Sequence, residues 1–212
     1  MLVVAHKVVS KAEGRLRSLA GVRAGERARA LAGRHSKDER MVQVVLDESA
    51  EVLRAERGVL VCVTHHGFVC ANAGVDRSNV PGDVVVLLPE DPDESARRLR
   101  AGMEAARGVR PAVLITDSFG RAWRLGQTDV AIGAAGLVAL DDWAGRPDAL
   151  GDDLTVTAIA VADSIAAAAD LARSKDSREP AVLVRGLERF VTAGDGPGAA
   201  SLRRPAAEDL FR

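Results

Sequence analysis

The sequence predicts a mixed α+β fold, and three observations carry that prediction. Apolar segments of strand length and of helix length follow one another along the 212 residues, but irregularly rather than in strict β-α-β order. No Gly-x-Gly-x-x-Gly turn leads from a strand into a helix, so a doubly wound parallel sheet is disfavoured. Hydrophobic residues make up 47% and charged residues 28%, yet only 3% are aromatic and Tyr is absent, so the core must be close-packed Val, Leu, Ile and Ala.

Taken in order, residues 2–5 and 8–9 are apolar or β-branched and predict a strand ending at Ser10-Lys11. Residues 25–32 are rich in Ala, Arg and Glu and predict a helix. A second helix is predicted from Lys37 to Leu53, with Val42, Val45, Leu46, Ser49, Val52 and Leu53 on one face and Gly58 as its stop. Val59–Thr64 reads as a buried strand, His65-His66-Gly67 as a turn, and Phe68–Ala71 as the returning strand of a hairpin.

Gly82-Asp83 leads into a strand over Val84–Leu88. Asp91-Pro92-Asp93-Glu94 then has the chemistry of a helix start: a capping acid, Pro at the first position and acids in the first turn. Ala96, Leu99, Met103 and Ala106 form its buried side, and Gly108 ends it. Ala112–Thr116 is a strand that delivers Asp117 at its carboxyl end, and residues 130–140 are small or apolar and predicted buried. The Ala-rich stretch 156–173 predicts a tightly packed helix, and Ala181–Val184 is the last clear strand. Beyond Gly186, Gly194, Gly196, Pro197, Gly198 and Pro205 loosen the chain into a linker or arm. No internal repeat or low-complexity block is visible.

The bulk numbers exclude several classes. A formal net charge of −1 argues against general nucleic-acid binding, which needs a basic face to release counterions. No apolar run approaches the ~20 residues of a membrane span, and the short apolar start has no basic segment before it, unlike a signal peptide. Cys62 and Cys70 lie in apolar stretches, too far apart for a C-x-x-C pair, and are expected to be buried thiols of a cytoplasmic protein.

Four polar clusters interrupt apolar sequence at strand ends. His6-Lys7 with Ser10-Lys11 offers point charges for phosphate oxygens, or a solvated charged edge. In Asn72-Ala-Gly74-Val-Asp76-Arg-Ser-Asn79, Asp76 offers a hard oxygen ligand or an Asx-turn, and Asn79 a donor and acceptor for a nucleotide. In Thr116-Asp117-Ser118-Phe-Gly120-Arg121, a carboxylate followed by a hydroxyl suits Mg²⁺, or a capped turn. Gly126-Gln-Thr-Asp129-Val-Ala-Ile132-Gly133 could line a pocket or form a hairpin loop. The adjacent histidines lack a third ligand at zinc-type spacing and read as a turn pair. Neither a G-x-x-x-x-G-K-[ST] phosphate loop nor a G-x-S-x-G nucleophile elbow is present.

Together the clusters are more specific than any one of them. Val9-Ser-Lys-Ala-Glu-Gly-Arg15, Gly67-Phe-Val-Cys-Ala-Asn-Ala-Gly74-Val-Asp-Arg-Ser-Asn79, Leu88-Pro-Glu-Asp-Pro-Asp93, Ile115-Thr-Asp-Ser-Phe-Gly-Arg121, Gly126-Gln-Thr-Asp-Val-Ala-Ile-Gly133 and Val161-Ala-Asp163 occur in this order. From Leu2 to Arg185 the chain resembles the coenzyme F420-0:L-glutamate ligases. The resemblance implies a γ-glutamyl-ligase-like fold of mixed sheets and packed helices, an intertwined homodimer, and a ligase domain over residues 1–190 with an arm or linker at 191–212. It further implies that GTP phosphorylates the carboxylate of coenzyme F420-0 and that the amine of L-glutamate attacks the acyl phosphate. By the same resemblance Asp76, Asp117 and Ser118 are ligands of Mg²⁺ or Mn²⁺, His6, Lys11, Asn79 and Lys175 contact GTP, and K⁺ is a further admissible cation. No catalytic acid or base is assigned.

Members of that family commonly carry a further segment before the first strand, including a loop that contacts the nucleotide, so the chain is expected to be N-terminally shortened. Ser164 stands where an acid is frequent and Ser174 where glycine is frequent. Residues 204–212 resemble the junction to a flavin-binding reductase domain of fused relatives, and no FMN is expected. Two other functions compete: a metal-dependent phosphohydrolase using the same acids, and a catalytically silent dimerisation partner of the same fold.

Overall fold

The computed structural model describes residues 1–174 and 176–209. Its elements in chain order are β1 (Leu2–Ala5), α1 (His6–Ala12), β2 (Leu16–Ser18), α2 (Glu26–His35), α3 (Glu39–Asp47), β3 (Ser49–Glu56), β4 (Val59–Thr64), β5 (Val69–Ala71) and β6 (Val84–Val86). They continue as α4 (Pro92–Arg107), β7 (Val113–Arg121), β8 (Arg124–Ala135), β9 (Leu140–Asp142), β10 (Ala158–Ala160), α5 (Val161–Leu171) and β11 (Ala181–Leu183). The fold is α+β, as the sequence predicts, and divides into two compact units. Among the described residues no helix is long and apolar enough to cross a membrane.

The first unit comprises Met1–Ala5, Pro92–Ser118 and Thr128–Arg203. Its sheet has the order β11-β1-β7-β8, mixed in direction: β1 runs parallel to β7, pairing Leu2 with Val113 through Ala5 with Thr116, and antiparallel to β11. Val3, Leu114, Ala131 and Ala134 of the sheet and Ala162, Ile165 and Ala169 of α5 form one buried cluster, the small-residue core that the composition demands. A separate antiparallel pair joins β9 to β10. Arg100 of α4 is 1% exposed and donates to the carbonyls of Pro111 and Thr192 and to the Asp195 carboxylate at 2.5 Å, which keeps a buried guanidinium fully engaged. That contact holds the Asp195 carboxyl below the usual carboxylate range.

The second unit comprises His6–Asp91, Phe119–Gln127 and the described residues after Arg203. It has a three-stranded antiparallel sheet β3-β4-β5 and a pair β2-β6. Leu31 of α2, Val42 and Val45 of α3, Leu60 and Cys62 of β4 and Val85 of β6 share its core. Asp38 caps α3 by accepting the Arg40 N–H at 2.9 Å, and its carboxyl is pulled to about 2 by hydrogen bonds from the Arg40 guanidinium. Cys62 and Cys70 are buried and lie in register with each other across β4 and β5, and burial pushes the Cys62 thiol up.

Several departures from the sequence reading come from strand pairing that local periodicity does not show. The helix predicted to Leu53 stops at Asp47, where Ser49 Oγ donates to the Val45 carbonyl at 2.5 Å; Ser49–Glu56 then pairs with β4. Gly58 is therefore no helix stop. Arg57 and Gly58, at φ 48° and 79°, form the two-residue turn of a hairpin, where positive φ at both positions matches the strand twist. Residues 8–9 belong to α1 rather than to a strand. The Ala-rich helix begins only at Val161, because 158–160 pair with β9. The stretch Gly126–Gly133 lies within β8 and not in a loop.

Candidate functional site

In the second unit the site grows from α1. His6 and Ser10, four residues apart, face inward at 2% and 0% exposure, with His6 Nδ1 3.3 Å from Ser10 Oγ. Lys7 and Lys11 repeat the same spacing on another face, so two ammonium groups lie one turn apart. Both reach the loop at 76–79. Lys7 Nζ is 2.5 Å from Asp76 Oδ2 and also donates to Ser78 Oγ, and Lys11 Nζ donates to the Asn79 carbonyl at 2.6 Å.

The loop has a built conformation. A single 3-10 turn, Asn72–Gly74, precedes it with Asn72, Ala73 and Gly74 all at positive φ. A Cβ on Gly74 would lie 2.7 Å from Leu88 Cγ, so both the backbone angle and the packing require glycine there. The backbone of Asp76 exchanges both hydrogen bonds with Val86, and its carboxylate accepts the Ser78 N–H at 2.7 Å and the Ser78 hydroxyl at 2.9 Å. The Asx-turn weighed from the sequence is thus formed. Burial pushes the Asp76 carboxyl up, but the Lys7 ammonium and the Ser78 N–H outweigh it and hold the group below its ordinary value.

In the first unit the site forms within β7, just beyond the end of its pairing with β1 at Thr116. Asp117 accepts the N–H of Ser118 at 2.8 Å. Ser118 Oγ donates to Asp129 Oδ1 and Thr116 Oγ1 to Asp129 Oδ2, each at 2.7 Å. Arg173 closes the group with a guanidinium nitrogen 2.6 Å from Asp129 Oδ2. The Arg173 and Asp129 side chains are only 7% and 5% exposed. Asp163, in the first turn of α5, accepts the Ala131 N–H at 2.9 Å and so ties α5 to β8; burial raises its carboxyl, with that hydrogen bond opposing. Lys175 lies outside the described residues.

The structure thus brings Lys11 and Asn79 together in the second unit, with Asp76 in the same loop, and Asp117 with Ser118 in the first. The contact to Asn79 uses its backbone carbonyl, where the sequence suggested its side chain. Arg121, which ends the same polar cluster, donates to the Leu125 carbonyl across the β7–β8 turn at 2.9 Å. His65 and His66 donate to the carbonyls of Asp47 and Pro89, in keeping with a turn pair. Among the described residues no group of three or more His, Cys, Asp or Glu side chains is placed to hold a metal. The donor types at the candidate positions, two carboxylates and a hydroxyl, nonetheless suit a hard divalent cation. The sequence reading named Lys7 and Asp129 within polar clusters but gave Lys7 no separate role, and it missed the pairing of Asp129 with Arg173. The available signals were the four-residue spacing of Lys7 and Lys11 and a lone acid opening the apolar run at 130–140.

Comparison with known proteins agrees with these motifs. The family model for F420-0:gamma-glutamyl ligase matches residues 1–186. The coenzyme F420:L-glutamate ligase of Methanopyrus kandleri is 43% identical, in an alignment covering 100% of this chain and 85% of that protein. The ligase of the same name from Methanothermobacter thermautotrophicus is 42% identical over 100% of this chain and 84% of its own, and that of Haloarcula marismortui 43% identical over 100% and 83%.

Proposed function

We propose, from the premise that this chain belongs to the F420-0:gamma-glutamyl ligase family, that it joins L-glutamate to coenzyme F420-0 at the expense of GTP. A carboxylate oxygen of coenzyme F420-0 takes the γ-phosphoryl group, releasing GDP. The glutamate amine then attacks the acyl carbon, phosphate leaves, and the nitrogen loses a proton to give the amide. Such transfers ask a protein chiefly for positioning and for charge aimed at the phosphoryl oxygens.

One observation supports the reading most directly: two lysines one turn apart on α1 are both anchored to the 76–79 loop, which fixes point charges for an anionic ligand. His6, Lys11 and Asn79 are proposed to contact GTP. A divalent cation, when bound, would neutralise phosphate charge; Asp76, Asp117 and Ser118 are the residues that would hold it. Mass spectrometry of the chain incubated with coenzyme F420-0, GTP, Mn²⁺ and L-glutamate should show a product heavier by one or more glutamyl residues. GDP release should depend on glutamate. Phosphate release without glutamate dependence would favour a phosphohydrolase, and absence of nucleotide binding a silent partner.

Lys11→Met keeps the apolar stem and deletes the ammonium, so packing should scarcely respond. Losing a charge-assisted contact costs about 1.5–3 kcal/mol, or roughly a ten- to hundredfold weaker GTP affinity by calorimetry. The deficit should shrink in high salt, because Lys11 is exposed. Equal affinities would make Lys11 a surface charge. We also propose a homodimer with an interface of about 1,600 Å² or more, and a monomer in sedimentation at micromolar concentration would refute it.

A further inference from the structure

The buried pair Asp129–Arg173 lies directly behind Ser118, yet neither residue belongs to the proposed cation ligands. A hydroxyl owns one proton, and an ion-paired carboxylate has none to give. Ser118 must therefore donate to Asp129 Oδ1, and that leaves Ser118 Oγ able only to accept. The other oxygen, Oδ2, is taken by the Arg173 guanidinium at 2.6 Å and by the Thr116 hydroxyl at 2.7 Å. Arg173 also reaches Thr116 Oγ1 at 3.3 Å. Both oxygens of Asp129 thus have assigned donors, and the burial of Asp129, Thr116 and the Arg173 side chain keeps water from supplying an alternative at the carboxylate.

We infer that Asp129, held in place by Arg173, is a positioning residue that turns the proton of Ser118 inward and its lone pairs toward a divalent cation. The inference rests on the reading of Ser118 as a cation ligand. It assigns the two residues distinct tasks: Asp129 sets the direction of the Ser118 hydrogen bond, and Arg173 fixes the carboxylate and balances its charge.

Asp129→Asn isolates the first task. Arg173 and Thr116 both need an acceptor where Oδ2 stands, so the amide oxygen occupies that side and the amide NH₂ faces Ser118. The hydrogen bond then reverses, and a lone pair of Ser118 is consumed. Mn²⁺ binding, read from the free-ion electron paramagnetic resonance signal and requiring no turnover, should weaken about 10- to 100-fold, as for other partners of metal ligands. A second variant, Asp129→Leu with Arg173→Met, removes both charges and avoids an orphaned buried ion, so it should stay folded while Ser118 loses its acceptor. It should show the same loss, and Ser118→Ala a loss at least as large. Wild-type Mn²⁺ affinity in either folded Asp129 variant, or in Ser118→Ala, overturns the inference and leaves the ligase reading intact if wild type still forms product. A wild type that neither binds Mn²⁺ nor forms product overturns both.

Discussion

Asp117→Asn is expected to weaken Mn²⁺ binding by at least about a hundredfold and to abolish glutamate-dependent product. Altering partners that merely orient metal ligands costs about 10- to 100-fold, so removing a charged ligand should cost no less. The same change should leave the fold untouched. Asp117 Oδ1 accepts the Ser118 N–H at 2.8 Å, and an Asn oxygen can accept it equally. The side chain is only partly buried, so losing its charge removes no deep solvation balance. A melting temperature within about 2 °C of wild type corresponds to less than about 1 kcal/mol for a chain of this size. Unfolding of the variant with Mn²⁺ affinity preserved would make Asp117 a structural acid.

The contrast between what the sequence disclosed and what it concealed follows the range of the forces involved. β4 and the start of α4 carry their own signals: a short apolar run, rich in β-branched residues and bounded by Gly58, and Asp91-Pro92-Asp93-Glu94 with acids at a helix N-terminus. β3 does not. Its residues Ser49, Val52 and Leu53 continue the helical spacing of α3, and only the pairing of Val52 with Cys62 and its neighbours makes them a strand. Residues 158–160 are likewise an Ala-rich helix start by composition and a strand by virtue of β9.

The site divides in the same way. Asp76, Asn79, Asp117 and Ser118 stood out because short polar motifs at strand ends are local features. The contact of Lys11 with Asn79 spans 68 residues of sequence and that of Arg173 with Asp129 spans 44, and no periodicity links such pairs. Arg173 resembles any charge at the end of an Ala-rich helix until β8 is seen to place a buried carboxylate opposite it. The resemblance to known ligases supplied the candidate residues, whereas the hydrogen-bond directions among them came only from three-dimensional placement.

Asp93→Ala is expected to cost about 3–5 kcal/mol of stability, the largest effect foreseen for a residue outside the candidate site. Asp93 Oδ1 accepts the N–H groups of Ala134 at 2.8 Å and Ala199 at 2.7 Å, and Oδ2 that of Ala200 at 3.2 Å. Ala134 and Ala199 are each 1% exposed, so two buried donors would lose a charged acceptor, at about 1–3 kcal/mol apiece. Against the roughly 5–15 kcal/mol that hold a domain together, that is a large share. The site cannot relax by closing up on the alanine side. Gly198 stands at φ 76°, where a Cβ would lie 2.3 Å from Asp93 Cγ, so the backbone is already moulded to the carboxylate. Asp93→Asn retains one oxygen for Ala134 and Ala199 and should cost only about 1–2 kcal/mol. Urea unfolding followed by circular dichroism measures both. The comparison also tests whether the 199–200 stretch, within the arm or linker expected at 191–212, is anchored by Asp93. If Asp93→Ala loses less than about 0.5 kcal/mol, water replaces the carboxylate and the 199–200 stretch is held by other contacts.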